Sequence, residues 1–119
     1  MPPADQLSTV ERHHSLREGL KGVDVVMGLR MQFERMAGDT AQTNKAAASD
    51  YYSEFGLTHT TLDYANPGAK VMHPGPMNRG IEIDSALADD PARSLISQQV
   101  FYGVALRMAI LDALITKGE

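Results

Sequence analysis

The stretch that decides the fold reads Val71-Met72-His73-Pro74-Gly75-Pro76-Met77-Asn78-Arg79-Gly80-Ile81-Glu82-Ile83. A short apolar run, Lys70 to His73, stands directly before a Pro-Gly-Pro turn and a charged loop. Short apolar runs bounded by turn residues are typical of buried strands, and small molecules bind beyond the carboxyl ends of strands in open α/β sheets. Because proline fixes its own φ angle, we expect the turn to hold its carbonyl oxygens in a fixed direction.

A second apolar run, Val23 to Met27, predicts another strand. The run is rich in β-branched residues and lies between glycines, which favours a buried parallel strand over a helix of this length. Arg30 follows just past its carboxyl end. We therefore expect an α/β fold: a partial Rossmann-like, three-layer domain with a short parallel sheet and a long C-terminal helix.

Local signals predict shorter helices before and between these strands. Ser15-Leu16-Arg17-Glu18 has the spacing of a capping box, so a helix should begin at Ser15 and stop near residues 19 to 22. Residues 37 to 49 have no clear apolar period and predict a mobile surface loop. An aromatic face at residues 51 to 55 predicts a helix that Gly56 ends, and Thr58 can cap another.

The C-terminal part predicts one long helix. Asp90-Pro91 is a strong helix start, and the helix should cover about residues 91 to 116. Its second half, Val104 to Ile115, is apolar on almost every side, with only Arg107 and Asp112 interrupting. Since a helix on the surface of a small domain needs only one apolar stripe, this helix should have two packing partners.

Composition narrows the classes of function. The chain has 119 residues, 43% of them hydrophobic, which is enough for one domain with a core. A net charge of -4 argues against a nucleic-acid groove, and the lack of cysteine fits a reducing cytoplasm. Residues 1 to 5 lack the features of a signal peptide, and the apolar residues 100 to 115 fall short of the roughly 20 needed to cross a bilayer. We expect a soluble, cytoplasmic protein without nucleic-acid or membrane partners.

The Val71 to Ile83 stretch resembles a signature of aspartate carbamoyltransferases, and so does Met27-Gly28-Leu29-Arg30-Met31-Gln32-Phe33-Glu34-Arg35-Met36. The two matches fall in the family's order and at about its spacing, and Asp89 to Arg93 with Gln98-Gln99 is also similar. The family's Ser-x-Arg-Thr-Arg phosphate loop does not occur here. The resemblance implies that residues 1 to 119 are a partial aspartate-binding domain, without the carbamoyl-phosphate domain and the lysine that a neighbouring subunit lends.

The resemblance also implies a reaction and site residues. The family transfers a carbamoyl group from carbamoyl phosphate to L-aspartate in de novo pyrimidine biosynthesis, without a covalent enzyme intermediate or a cofactor. By resemblance, Arg30 binds the aspartate side chain and Gln32 assists, while backbone carbonyls of Pro74, Gly75 and Pro76 contact carbamoyl phosphate. A planar guanidinium suits a carboxylate because it donates two parallel hydrogen bonds and keeps its charge. The Gly75-Pro76 bond is a candidate cis peptide.

Other interpretations of these residues stay open. An isolated arginine can form a surface salt bridge, and a Pro-Gly-Pro sequence can be a rigid turn only. His73, at the end of a buried strand, fits a structural role, and Arg79 and Glu82 should pair to set the loop. Glu34 and Arg35 fit supporting roles beside Arg30. No other histidine shows ligand spacing, so we expect no metal site. We also expect no catalytic side chain in this chain.

There are three alternatives to an aspartate carbamoyltransferase fragment. An ornithine-using relative is disfavoured, because Arg30 would repel the ornithine ammonium group. A dinucleotide-binding domain is disfavoured, because no Gly-x-Gly-x-x-Gly follows a strand. A non-catalytic amino-acid-binding or assembly module remains. Without the carbamoyl-phosphate domain, we expect the isolated chain to be inactive. In the family the last helix crosses to that domain, so we also expect the isolated chain to self-associate, or to bind another polypeptide, through Leu106, Ile110 and Ala113 or their neighbours.

Overall fold

The computed structural model describes residues 9–32 and 41–117 of the chain. Helices and a short sheet follow one another in mixed order, so the expected α/β class is confirmed. The elements are α1 (Leu16–Leu20), β1 (Val25–Met27), α2 (Ala41–Phe55), α3 (His59–Leu62), β2 (Lys70–Met72), α4 (Ser85–Ala88) and α5 (Ile96–Thr116).

The two strands pair in parallel, with Val25 opposite Lys70, Val26 opposite Val71 and Met27 opposite Met72. On the other side of β2, Val71 donates its N–H to the Arg93 carbonyl at 2.8 Å and accepts the Leu95 N–H at 2.9 Å. Both strands lie where the sequence predicts them, although each is shorter. Strand β2 therefore has backbone partners on both sides, and β1 lies at an edge of the described sheet.

The prediction that β1 is buried is wrong for the described chain. Val25 is 49% exposed and Met27 is 53% exposed, whereas Val71 in β2 is fully buried. A strand loses its exposure only when other elements cover its faces, and the helices described here gather around β2 instead. The apolar composition of β1 correctly indicated a strand, but it did not indicate which faces are covered.

The core surrounds Val71 and the segment that follows α2. Leu57 pairs with Ile83 through the two residues that flank Ile83. The Leu57 N–H donates to the Glu82 carbonyl at 3.0 Å, and the Leu57 carbonyl accepts the Asp84 N–H at 2.9 Å. This link brings the loop after β2 back under α3. The buried cluster consists of Leu57, Leu62, Ala69, Val71, Ile83, Leu87, Ala88 and Ile96.

Helix α2 replaces most of the loop predicted at residues 37 to 49. The helix covers Ala41–Phe55, while residues 37 to 40 lie outside the described part of the chain. Alanines at 46 to 48 have the highest helix propensity of any residue, and here that propensity outweighs the missing apolar period. As predicted, the helix ends before Gly56, where a Cβ atom would lie 2.5 Å from the Tyr52 carbonyl oxygen.

Helix α5 begins at Ile96 and not at Pro91, although it ends at Thr116 as predicted. Asp90 does cap a turn, because its Oδ1 accepts the Ala92 N–H at 2.8 Å. The chain then extends through Arg93 to Leu95 to pair with β2, and this pairing is incompatible with a continuous helix. The local start signal was real, but the sheet interrupts the helix after one turn.

Beyond its first turn, α5 is exposed. Ile96 is 5% exposed, whereas Leu106 is 60% and Ile110 is 49% exposed. The helix has 21 residues and a mean hydropathy of 1.4 in its most apolar window, so it is long and apolar enough to cross a membrane by length and composition alone. It is thus longer than the apolar stretch considered from the sequence, and its apolar sides are uncovered in the described chain.

The starts of α1 and α3 differ in how they are capped. Thr58 Oγ1 accepts the Thr61 N–H at 3.2 Å, and the Thr58 N–H donates to Thr61 Oγ1 at 2.8 Å, which completes a capping box. Ser15 is the N-cap residue of α1 as predicted, but its side chain makes no capping hydrogen bond. The reciprocal capping box expected at Ser15 is therefore wrong.

These caps give a test of stability. Thr58→Ala should lower the free energy of unfolding by about 1 kcal/mol, because helix amides lose an acceptor. The matched Ser15→Ala change should cost under about 0.5 kcal/mol, since no capping bond is lost. Urea unfolding followed by far-UV circular dichroism measures both, and equal losses would contradict the assignment of the caps.

Candidate functional site

The loops after β1 and β2 begin side by side at one edge of the sheet. Met27 and Met72 are paired, and the Gly28 N–H donates to the Met72 carbonyl at 3.0 Å. Because the strands are parallel, the segment with Arg30 and the turn after His73 leave the sheet in the same direction. The carboxyl edge of the sheet is therefore the candidate site.

All five predicted binding residues lie at this edge and are exposed, namely Arg30, Gln32, Pro74, Gly75 and Pro76. Asn78 Nδ2 donates to the Met31 carbonyl at 3.1 Å, and this hydrogen bond joins the two loops directly. The structure thus brings the two sequence segments together. The binding role of each residue stays a prediction. Glu34 and Arg35, which were expected to support Arg30, lie outside the described residues.

The turn itself has an unusual backbone. The Gly75-Pro76 peptide bond is cis, as expected, and Gly75 has a φ of +67°. A Cβ atom at position 75 would meet nothing within 4 Å, so glycine is needed here for its conformation and not for space. The turn lies at the surface, since residues 74 to 76 are all exposed.

Behind the turn lies a buried histidine–glutamate pair. His73 is 0% and Glu82 is 2% exposed, and His73 Nε2 lies 3.0 Å from Glu82 Oε1. His73 Nδ1 accepts the Gly75 N–H at 2.9 Å, and Glu82 Oε1 accepts the Asn78 N–H at 2.6 Å. The expectation that His73 is a satisfied structural group is confirmed, and the pair supports the turn from inside.

The expected pairing of Arg79 with Glu82 is wrong. Arg79 instead makes two hydrogen bonds to Asp89, at 2.7 and 2.8 Å, on the surface. Glu82 lies inside the protein beside the buried Ile83, where it contacts His73. The sequence held no clear signal for this, because a charged residue between Ile81 and Ile83 is also typical of a strand with one exposed face.

Burial and the negative charge of Glu82 both affect the pKa of Tyr51 in α2. Burial raises the pKa of Tyr51 above its ordinary value, and the negative charge of Glu82 raises it further. The second oxygen of Glu82, Oε2, is buried and has no hydrogen-bond partner within residues 9–32 and 41–117. Sequence reasoning missed this residue as part of the site, although its partners His73 and Asn78 lie only nine and four positions away.

A hollow of about 340 Å³ lies on the α5 side of the turn. It is lined by Pro74, Gln99, Val100, Gly103, Val104 and Arg107. Gln99 also accepts the His73 N–H through its Oε1 at 3.0 Å, which fixes the first turn of α5 to the end of β2. Arg30 is not among the residues that line this hollow.

A sequence model described as "Aspartate/ornithine carbamoyltransferase, Asp/Orn binding domain" matches residues 4–114. The chain belongs to this family. Similar curated proteins include the aspartate carbamoyltransferase catalytic subunit of Parvibaculum lavamentivorans, 53% identical over 96% of this chain and 34% of that protein. The corresponding subunit of Caulobacter vibrioides is 51% identical over 100% of this chain and 35% of its own length. The chain therefore spans about a third of the relatives that it matches.

Solved structures of the family agree in fold. Aspartate transcarbamoylase from Trypanosoma cruzi, in complex with aspartate and phosphate, has a TM-score of 0.66 and 29% identity, over 92% of this chain and 37% of that one. Ornithine carbamoyltransferase from Campylobacter jejuni has a TM-score of 0.60 and 20% identity, over 86% of this chain and 33% of that one. The second likeness shows the fold alone.

The surface pair beside the site gives a pH-dependent prediction. Hydrogen bonds from Arg79, together with its positive charge, hold the pKa of the Asp89 carboxyl below its ordinary value. Arg79→Gln should therefore raise the pKa of Asp89 towards about 3.9. Because the pKa is lowered in the folded state, the pair stabilises the fold fully above the unfolded-state pKa and loses this effect as the pH falls through the folded-state pKa.

Titration of the Asp89 carboxyl carbon by NMR measures the first effect, and urea unfolding at pH 6 and at pH 3 measures the second. Arg17→Gln serves as the control, because the Arg17 guanidinium lies over the Tyr64 ring and not beside Asp89. An Asp89 pKa that stays low in Arg79→Gln would contradict the assignment.

Proposed function

We propose that the chain is the aspartate-binding part of an aspartate carbamoyltransferase, which transfers the carbamoyl group of carbamoyl phosphate to L-aspartate in pyrimidine biosynthesis. One observation carries the proposal: the Arg30 segment and the Pro74 to Pro76 turn leave neighbouring parallel strands at one edge and are joined there by Asn78 and Met31. An amino acid with a second carboxylate and a carbamoyl donor can then be held next to each other.

The reaction asks for positioning more than for a nucleophile. The aspartate amine attacks the carbonyl carbon of carbamoyl phosphate, a C–N bond forms, the bond from that carbon to the phosphate oxygen breaks, and phosphate leaves with the electron pair. The amine nitrogen loses a proton, which the departing phosphate accepts. Holding the two substrates in line can supply a large part of the barrier reduction. This chain would contribute aspartate binding and part of the carbamoyl contacts.

Arg30 is proposed to bind the side-chain carboxylate of aspartate, with Gln32 assisting. Both residues are exposed just beyond the carboxyl end of β1, where an open α/β sheet binds small ligands. A guanidinium on a carboxylate makes charge-assisted, bidentate hydrogen bonds, which are stronger than neutral ones. Arg30 also argues for aspartate over ornithine, and the two relatives above 50% identity are named aspartate carbamoyltransferases.

The backbone carbonyls of Pro74, Gly75 and Pro76 are proposed to accept hydrogen bonds from the carbamoyl NH₂ group and from the attacking amine. Neither proline has a backbone N–H to compete with these acceptors. The buried His73 fixes the Gly75 N–H from behind, which leaves the peptide oxygens as the groups available to a ligand. No metal and no cofactor take part in the proposed chemistry.

The aspartate site can be tested at Arg30. Arg30→Ala should weaken L-aspartate binding by a factor of about 10 to 100, because a hydrogen bond to a charged group is lost. Arg17→Ala is a matched control that removes an arginine far from the edge, and it should leave binding unchanged. Affinity is measured by calorimetry or NMR titration. Equal affinity in wild type and Arg30→Ala would rule out the proposed contact.

Activity is proposed to need the carbamoyl-phosphate domain on a separate or longer polypeptide. The purified chain should make no carbamoyl-aspartate alone and should do so when that domain is added. A normal rate from the chain alone would contradict this requirement. The second candidate function, a non-catalytic amino-acid-binding or assembly module, is favoured by the exposed apolar side chains of α5. Aspartate binding without activity in the mixture would support it.

A further part of the proposal concerns α5. Leu106 and Ile110 are exposed on a helix whose apolar side chains have no cover in the described chain. We propose that a soluble, cytoplasmic assembly covers them, either as a homo-oligomer or through the carbamoyl-phosphate domain. Burying such side chains removes apolar surface from water, which favours association.

Light scattering at increasing concentration tests the association of the chain. Leu106→Glu and Ile110→Glu should shift the chain towards the monomer by at least about tenfold in dissociation constant, because each places a charge in an apolar contact. Ser97→Glu changes the same helix at an exposed polar position and should have little effect. A strictly monomeric wild type that also fails to bind the carbamoyl-phosphate domain would refute the proposed role of α5.

A further inference from the structure

The buried pair of His73 and Glu82 is part of a longer hydrogen-bonded connection. Its first member is the turn, because the Gly75 N–H donates to His73 Nδ1 at 2.9 Å. An accepting Nδ1 carries no proton, so the imidazole proton of this tautomer lies on Nε2. Nε2 then donates to Glu82 Oε1 at 3.0 Å. The glutamate therefore fixes the tautomer with which the histidine holds the turn.

The connection continues from Glu82 to the other loop. Glu82 Oε1 also accepts the Asn78 N–H at 2.6 Å, and Asn78 Nδ2 donates to the Met31 carbonyl at 3.1 Å. Met31 lies between Arg30 and Gln32 in the chain. Side chains and peptide groups thus link the Pro-Gly-Pro turn to the Arg30 segment without a break.

Burial of a carboxylate only for stability is a poor explanation of this arrangement. Glu82 Oε2 is buried without a hydrogen-bond partner in the part of the chain that the structure describes. A buried charge that is only partly satisfied costs free energy, and packed apolar side chains of similar size serve stability as well or better. Geometry at the carboxyl edge of the sheet is what this group contributes.

We propose that His73, Glu82 and Asn78 are positioning residues that set the place of the Arg30 segment relative to the Pro74 to Pro76 turn. This inference rests on the proposed function. None of the three is assigned a contact with substrate, and Asn78 is the member that joins the two loops. Errors of about 1 Å in the placement of binding groups lower rates by orders of magnitude, which is why a rigid link is useful here.

Asn78→Ala is the sharpest test, because it removes only the link to Met31 and leaves the Asn78 N–H to Glu82. Asn78 is partly exposed, so the variant should fold. Asn66→Ala is the matched control: Asn66 Nδ2 joins the opposite ends of the same strands, donating to the Gly22 carbonyl at 3.1 Å and to Asp24 Oδ1 at 2.9 Å. Both changes remove an asparagine that connects two segments.

Two readouts on the purified chain separate this inference from the proposed function. Asn78→Ala should shift the NMR amide signals of Met31 and Gln32 and weaken L-aspartate binding about five- to tenfold, as expected for one lost hydrogen bond. Asn66→Ala should leave both unchanged. If the wild type binds L-aspartate and Asn78→Ala binds it equally with unshifted signals, the inference is wrong while the proposed function stands.

The histidine supplies a second, independent test. His73→Asn keeps an acceptor for the Gly75 N–H and loses the donor to Glu82, whereas His73→Gln keeps the donor and loses the acceptor. We expect the first variant to shift the amide signals of Asn78 and Met31 and the second to shift that of Gly75, and the wild-type imidazole nitrogens to report a proton on Nε2. A proton on Nδ1, or signals at Met31 unchanged in the folded His73→Asn variant, would overturn the inference even if L-aspartate does not bind.

Discussion

Parallel pairing of β1 with β2 is the constraint on which the candidate site depends. Three residues of each strand are aligned, from Val25 with Lys70 to Met27 with Met72. Because parallel strands end at the same edge, residues some 45 positions apart in sequence leave the sheet next to each other. A shift of the register would move the Arg30 segment along the turn, and a shift by one residue would also exchange the two faces of β1.

The turn after β2 is fixed by buried hydrogen bonds on its inner side and by its own backbone conformation. The cis Gly75-Pro76 bond and the positive φ of Gly75 define its shape, while His73 and Glu82 fix it to the core. Such a buried polar pair is costly when incomplete and rigid when satisfied. The pair lies directly behind the turn, and the Glu82 carbonyl also accepts the Leu57 N–H at 3.0 Å, just before α3.

Helix α5 carries apolar side chains that no other element covers in the described chain. Only Ile96 of the helix is buried, and most of its other apolar side chains are exposed. The match to the family model extends to residue 114 and so includes nearly all of α5. The hollow between Pro74 and Arg107 lies on this same side of the turn.

Local sequence signals identified the strands, the end of α2 at Gly56, the end of α5 at Thr116 and the cis bond. These features follow from residue types within a few positions of each other, such as the β-branched run at 23 to 27 and the prolines at 74 and 76. Motif resemblance predicted the family and named Arg30, Gln32 and the turn as binding residues. The resemblance was recognisable because the residues after each strand form a short continuous motif.

Tertiary structure alone decided the partners of these residues. The start of α5 moved to Ile96 because residues 93 to 95 pair with β2, and a cap signal at Asp90 cannot indicate that pairing. Glu82 is buried beside His73, whereas Arg79 is exposed and pairs with Asp89. Sequence determines the local conformations and the chemical groups, whereas burial and long-range hydrogen bonds depend on which distant segments meet, and that is fixed only when the whole chain packs.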